Sequence, residues 1–128
     1  MANEHRPTDA ELAILNELWR LGRAPVRQVF NALVARGSRV GYTTVLKLMQ
    51  IMTEKGLLRR EDAGRTHVYR SAYPESRIRR QLVSDLIRRA FDNSAAQMVL
   101  HALSAKPVSR EELKTIREAI EKFEKEAE

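Results

Sequence analysis

Residues 42–56 read Tyr-Thr-Thr-Val-Leu-Lys-Leu-Met-Gln-Ile-Met-Thr-Glu-Lys-Gly. Val45, Leu48, Met49 and Met52 recur at helical spacing and define one apolar side. Thr43, Lys47, Gln50 and Glu54 fall opposite them, with Thr44 and Ile51 on a flank. Gly56 is a helix stop. Taken alone, an uncharged-polar and lysine outer face is either a solvated helix face or one that meets a ligand. What lies on either side decides which.

Upstream, Thr8-Asp9-Ala10-Glu11 is a capping box that opens a helix bearing Leu12, Leu15, Leu18 and Trp19 and closing at Gly22. Trp19 shares that leucine face and is assigned to the core. Ala24-Pro25-Val26 restarts the chain with a short extended piece. Val26, Val29, Phe30 and Leu33 then make a second amphipathic helix ending near Gly37, and residues 38–41 form a loop. Downstream the period changes. Residues 57–61 read as a strand, residues 62–65 as a turn, and Thr66-His67-Val68-Tyr69-Arg70 as the returning strand. Tyr73-Pro74 breaks the chain and marks the expected domain boundary.

The order helix, helix, helix, hairpin is that of a winged helix-turn-helix. Its third helix fits the major groove, where hydroxyls, an amide, a methyl and a cation find complementary base edges and phosphates. Candidate DNA contacts are Tyr42, Thr43, Thr44, Lys47 and Gln50 on the helix, and Arg59, Arg65 and His67 on the wing. Lys47 and Gln50 are the base readers. Thr43 and Thr44 either cap the helix or touch phosphate, and Glu54 confines groove entry to the first half. Arg59 and Arg60 alternate across a strand, so one of them points inward or pairs with Glu61 or Asp62. Charge agrees with this placement. Residues 1–70 carry 12 Lys and Arg against 7 Asp and Glu, whereas residues 71–128 carry 11 against 10, within a chain of net charge +6.

Residues 74–128 read as helical throughout, with more apolar surface than short helices hide alone. Ile78, Leu82, Val83, Leu86, Ile87 and Ala90 line the first helix, and residues 94–103 are apolar nearly all round. The last helix opens with a second capping box, Ser109 to Glu112, with Val108 set to staple on Leu113. Leu113, Ile116, Ile120, Phe123 and Ala127 then follow at 3-4-3-4 spacing, a coiled-coil-like seam flanked by Glu118–Lys122 and Glu121–Lys125. A second copy of the chain would cover these faces. Leu82, Leu86, Leu113, Ile116, Ile120 and Phe123 are the expected homodimer contacts. The expected organisation is therefore mainly α: a winged-helix DNA-binding domain over 1–73 and a helical dimerisation domain over 74–128.

Other chemistries are poorly served. The chain has no cysteine, which excludes disulfides and thiolate metal sites. His5, His67 and His101 share no ligand spacing, so no metal or other cofactor is expected. The carboxylates of residues 111–128 form a solvated helix face, and nothing resembles a nucleophile elbow or a metalloprotease helix, so no enzyme is expected. No apolar run approaches a membrane span and no signal-peptide pattern opens the chain. A cytoplasmic protein without direct membrane binding is expected.

"PTDAELAILNELW", "PVRQVFNAL", "YTTVLKLMQIMTEKGLLRRE" and "GRTHVYR" together resemble the penicillinase-repressor family of bacterial transcription regulators, the BlaI/MecI type. The resemblance covers roughly residues 7–126 and is strongest from Tyr42 to Tyr69. It implies a two-fold symmetric dimer on a palindromic operator and repression, often of the repressor's own operon. It also implies a membrane-bound sensor metalloprotease as a partner whose activation leads to repressor cleavage. Antibiotic-responsive members are cut at an Asn-Phe bond. The matching stretch here is Met98-Val99-Leu100-His101-Ala102, which argues against cleavage at His101-Ala102. Copper-responsive relatives bind metal through C-terminal cysteines, which this chain lacks. Two other readings stand beside the repressor: a non-specific nucleic-acid binder, which would show no sequence preference, and a winged-helix protein-interaction module.

Overall fold

The computed structural model describes residues 6–127. Its elements are α1 (Asp9–Leu21), α2 (Val26–Ala35), α3 (Tyr42–Glu54), β1 (Leu58–Ala63), β2 (Thr66–Ser71), α4 (Glu75–Ala90), α5 (Ala95–Ala105) and α6 (Arg110–Ala127). The fold is mainly α, a winged helix-turn-helix followed by C-terminal helices.

Local chemistry sets the helix limits. The Thr8 hydroxyl accepts the Glu11 amide at 3.2 Å, and the Glu11 carboxylate accepts the Thr8 amide at 2.9 Å, so α1 begins with a closed capping box. Gly22 ends it at φ +82°, with its N–H donating to the Leu18 carbonyl at 2.7 Å. Gly56 ends the α3 turn in the same left-handed region, at φ +85°.

The core of the first unit is built from all three helices and the wing base. Ile14, Leu15 and Leu18 come from α1, Val29 and Leu33 from α2, and Val45, Met49 and Met52 from α3, all buried. Leu57, Leu58 and Tyr69 close the floor. Ile14 was absent from the face read in the sequence, whereas Leu12 and Trp19, expected there, are only half-buried. Burial instead takes in two acids of α1, Glu11 at 2% exposure and Glu17 at 3%. Each is compensated, as buried charge must be. Glu17 receives Arg36 at 2.6 Å and Arg20 at 3.1 Å, joining α1 to the end of α2.

β1 and β2 pair antiparallel from Leu58↔Ser71 to Ala63↔Thr66. The strands run longer than the sequence suggested, and the turn narrows to Gly64-Arg65. Glycine leads it at φ +70°, which a tight two-residue hairpin requires. The extended piece expected near Ala24 bridges the wing: Ala24 and Tyr69 exchange both backbone hydrogen bonds, at 3.0 and 2.9 Å. The wing is therefore fixed at its base to the α1–α2 connection.

The first compact unit runs to Val83. It passes the Tyr73-Pro74 break because Ile78 is 2% exposed and Leu82 packs beside it on the same core.

The second unit, from Ser84 onward, has no buried residue in α5 or α6. Asp92 and Asn93 turn the chain at positive φ, and the Ser94 hydroxyl caps α5 by accepting the Gln97 amide at 3.1 Å. The Ser109 hydroxyl accepts the Glu112 amide at 3.1 Å and so caps α6, but the return bond of the expected capping box does not form among the described residues. Leu100, Ile120 and Phe123 are 60%, 51% and 68% exposed. The Glu118–Lys122 and Glu121–Lys125 pairs do not close among the described residues, where the surface pairs that do form include Arg88 and Arg89 on Asp85. Exposed pairs gain little against the entropy of fixing two long side chains, so open ones are unsurprising.

Candidate nucleic-acid interface

The site is built on the outer face of α3. Val45, Met49 and Met52 are completely buried, which fixes the helix about its own axis and turns Thr43, Thr44, Lys47, Gln50 and Glu54 to the outside. Gly41 forms the N-cap with no side-chain hydrogen bond, and the first turn holds no acid. Neither threonine caps the helix. Their hydroxyls have no hydrogen-bond partner among the described residues, and both remain exposed beside the positive end of the helix dipole.

The other end of α3 is clamped. Lys55 Nζ donates to both carboxylate oxygens of Glu11, at 2.9 and 3.1 Å. Burial pushes the Glu11 carboxyl up. The hydrogen bond from the Thr8 backbone and the Lys55 ammonium outweigh that push and hold it below its ordinary value. Glu11 is therefore ionised at neutral pH and ties the start of α1 to the end of α3. The sequence showed Glu11 only as half of a capping box.

Tyr42 stands at the junction of α2 and α3, half-buried rather than projecting outward. Its ring meets Phe30 edge-on at 5.7 Å, and the Arg27 guanidinium lies over it at 4.1 Å.

The wing sorts its arginines by strand parity. Arg59 lies opposite Arg70, and Arg70 binds Glu61 at 2.6 Å together with Arg23 at 3.1 Å. Glu61 therefore neutralises two other arginines, and Arg59 has no ion-pair partner among the described residues. Arg60 lies opposite buried Tyr69 and joins Gln50, Thr53 and Glu54 around an open groove between α3 and the wing. The sequence reading left open which of Arg59 and Arg60 takes this side. The signal was available: Arg60 is two residues from inward-facing Leu58, hence on the α3 side of the strand. Arg65 occupies the wing tip, exposed and unpaired among the described residues. His67 Nδ1 sits 2.7 Å from Asp62 across the hairpin, so this ring is engaged within the wing.

Lys47 on α3 and Arg59, Arg60 and Arg65 on the wing have no ion pair among the described residues, and of the wing cations it is Arg60 that shares the α3 side with Gln50. Cations without internal partners are available to polyanion phosphates.

The remaining expected residues lie further along the chain. Leu86, Ile120 and Phe123 are exposed, and Leu113 and Ile116 are half-buried. Leu82 packs on the first unit's core and is partly covered within the chain. His101 and Ala102 are exposed inside α5, and His101 Nδ1 hydrogen-bonds the Gln97 carbonyl one turn earlier at 2.8 Å. No group of three or more His, Asp or Glu is disposed to hold a metal among the described residues, and His5 lies outside them. No helix of the described residues is long and apolar enough to cross a membrane.

A winged helix-turn-helix with an outward polar third helix and unpaired basic groups on its wing defines a DNA-binding regulator. The comparisons agree. The model of the penicillinase repressor family matches residues 7–122, and the chain belongs to that family. The chain is also 33% identical over 101 residues to "Transcriptional regulator BlaI" of Mycobacterium tuberculosis, in strains CDC 1551 and H37Rv alike. That match takes in 78% of this chain and 72% of the relative. The protein is a DNA-binding transcriptional repressor of this family.

Proposed function

We propose that the protein represses transcription as a homodimer on a two-fold symmetric operator, one lying in its own upstream region. Residues 1–73 supply the DNA-binding domain and residues 74–128 the dimerisation domain, whose first turns, with Ile78 and Leu82, pack on the core of the first unit. The observation that carries the DNA reading is the outward set Thr43, Thr44, Lys47 and Gln50 on a helix whose opposite side is locked in the core. Lys47 and Gln50 read base edges. Thr43, Thr44, Arg59 and Arg65 hold phosphates, Tyr42 sets the helix entry, and His67 orders the wing through Asp62.

Dimerisation is supported by what the second unit leaves uncovered. Leu86, Leu100, Ile120 and Phe123 are each about half exposed or more, a concentration of apolar surface that soluble chains cover. Two half-sites also multiply the modest specificity of a single module.

Release through a membrane-bound sensor protease is a partnership known from the family. We do not extend the proposal to cleavage at His101-Ala102, because the Asn-Phe dipeptide is missing and the bond lies within α5.

The test is a nuclease footprint over the upstream region, combined with sedimentation of the complex. Two protected tracts related by sequence symmetry, spaced by about one helical turn of 10 base pairs or a multiple, with two chains per site, support the proposal. Uniform protection without a boundary refutes it in favour of non-specific binding.

A further inference from the structure

Arg27 is an exposed cation in the first turn of α2 that binds no carboxylate among the described residues. Five other first-unit arginines are engaged with carboxylates: Arg20 and Arg36 on Glu17, Arg23 and Arg70 on Glu61, Arg79 on Glu75. Arg27 is nevertheless held in place. Its guanidinium lies 4.1 Å from the centre of the Tyr42 ring and 5.8 Å from that of Phe30, while Phe30 meets Tyr42 edge-on at an interplanar angle of 84°. The three side chains link the first turn of α2 to the first residue of α3.

We propose that Arg27, stacked on Tyr42, is an anchor for a DNA backbone phosphate beside the groove that α3 enters. This rests on the DNA-binding reading above and adds a contact to it. Arg27 is exposed and donates no hydrogen bond among the described residues, so its N–H donors remain available while the Tyr42 ring holds the group. A planar fork with open edges matches two phosphate oxygens, and charge-assisted bonds of that kind are the strong ones. Stacking removes much of the rotamer freedom that a long side chain would otherwise lose on binding. Neither α2 nor α3 has an acid in its first turn to compete for the guanidinium or repel the phosphate. Because Arg27 rests on the first residue of α3, the anchor fixes how the recognition helix meets the backbone while Lys47 and Gln50 read sequence.

The experiment compares wild type with Arg27→Met, Arg27→Lys, Tyr42→Phe and Tyr42→Leu on the native upstream duplex and on a scrambled one, across a salt series. Thermal melts run in parallel to confirm folding, which replacement of exposed Arg27 should leave intact. The anchor predicts that Arg27→Met weakens binding to both duplexes by the same factor, roughly tenfold per chain engaged, and lowers the slope of log affinity against log salt by about 1 per chain. Arg27→Lys keeps the slope and recovers part of the affinity. Tyr42→Phe behaves as wild type, whereas Tyr42→Leu loses affinity and adds little further loss on top of Arg27→Met.

An unchanged salt slope for Arg27→Met overturns the proposal. So does a loss confined to the native duplex, which would make Arg27 a base reader or a prop for α3. Failure of the repressor reading looks different: wild type binds both duplexes alike and Lys47→Ala with Gln50→Ala changes nothing, yet the Arg27 slope is still read on either duplex. No salt-dependent binding at all sinks both.

Discussion

Replacing Lys55 by methionine isolates the clamp on the recognition helix. Glu11 is 2% exposed and receives two hydrogen bonds from Lys55 Nζ, at 2.9 and 3.1 Å. Unpairing a fully buried ion pair costs about 3–5 kcal/mol. Here two features reduce the figure. The Lys55 side chain is 40% exposed, so solvent screens the pair, and Glu11 keeps the Thr8 amide at 2.9 Å. A loss of about 2 kcal/mol at neutral pH follows, within the range for a hydrogen bond to a charged group. For a unit of this size it lowers Tm by roughly 10 °C.

The pH dependence sharpens this prediction. In the wild type the folded-state pKa of Glu11 lies below its unfolded value, so its contribution is present above the ordinary carboxylate range and lost as pH falls through the folded pKa. Without Lys55 the largest influence left is burial, which raises the pKa. The variant then gains relative stability on acidification as Glu11 protonates. Urea unfolding at fixed chain concentration, at neutral pH and near pH 4, should therefore show a large gap between the proteins that narrows in acid. A gap that is absent at neutral pH, or the same at both, refutes the reasoning.

Three further outcomes follow from the same geometry. Gly56→Ala places a Cβ in open space but at φ +85°, so its cost is backbone strain alone, about 1–2 kcal/mol by urea unfolding. Phe123→Asp puts a charge in place of a 68% exposed ring, and sedimentation equilibrium should show the proposed dimer shifted to monomer at micromolar concentration. Arg60→Ala, on the α3 side of the wing, should weaken DNA binding at least as much as Arg59→Ala in a filter-binding titration. The reverse order would move the groove face of the wing to the other side of the strand.

The winged fold was legible because each helix carries its own punctuation. Thr8, Gly22, Gly37 and Gly56 mark ends, and Val45, Met49 and Met52 repeat at a spacing that only a helix can bury together. Periodicity failed where burial was electrostatic. Glu11 and Glu17 read as polar, and their concealment depends on Lys55 and Arg36, partners distant in sequence. The wing arginines were ambiguous for a different reason. Two adjacent residues of one type face opposite sides, and the choice needs the inward position of Leu58, confirmed by the Arg60↔Tyr69 pairing. Tyr42 had the residue type of a DNA contact, but its edge-on packing on Phe30 and its stack with Arg27 arise from the α2–α3 crossing, which no local pattern encodes. The C-terminal helices were legible as apolar and in need of cover. Leu100 and Phe123 are exposed in the single chain.

The central claim is that the outer face of α3 reads DNA sequence. The direct measurement is competition fluorescence anisotropy of wild type and the Lys47→Ala, Gln50→Ala double variant, on the native upstream duplex against a scrambled one. The account predicts a wild-type preference of several kcal/mol for the native duplex. The double variant should largely lose that preference while keeping salt-dependent binding to both. Equal wild-type affinity for the two duplexes, or a preference that survives the double substitution, would contradict it.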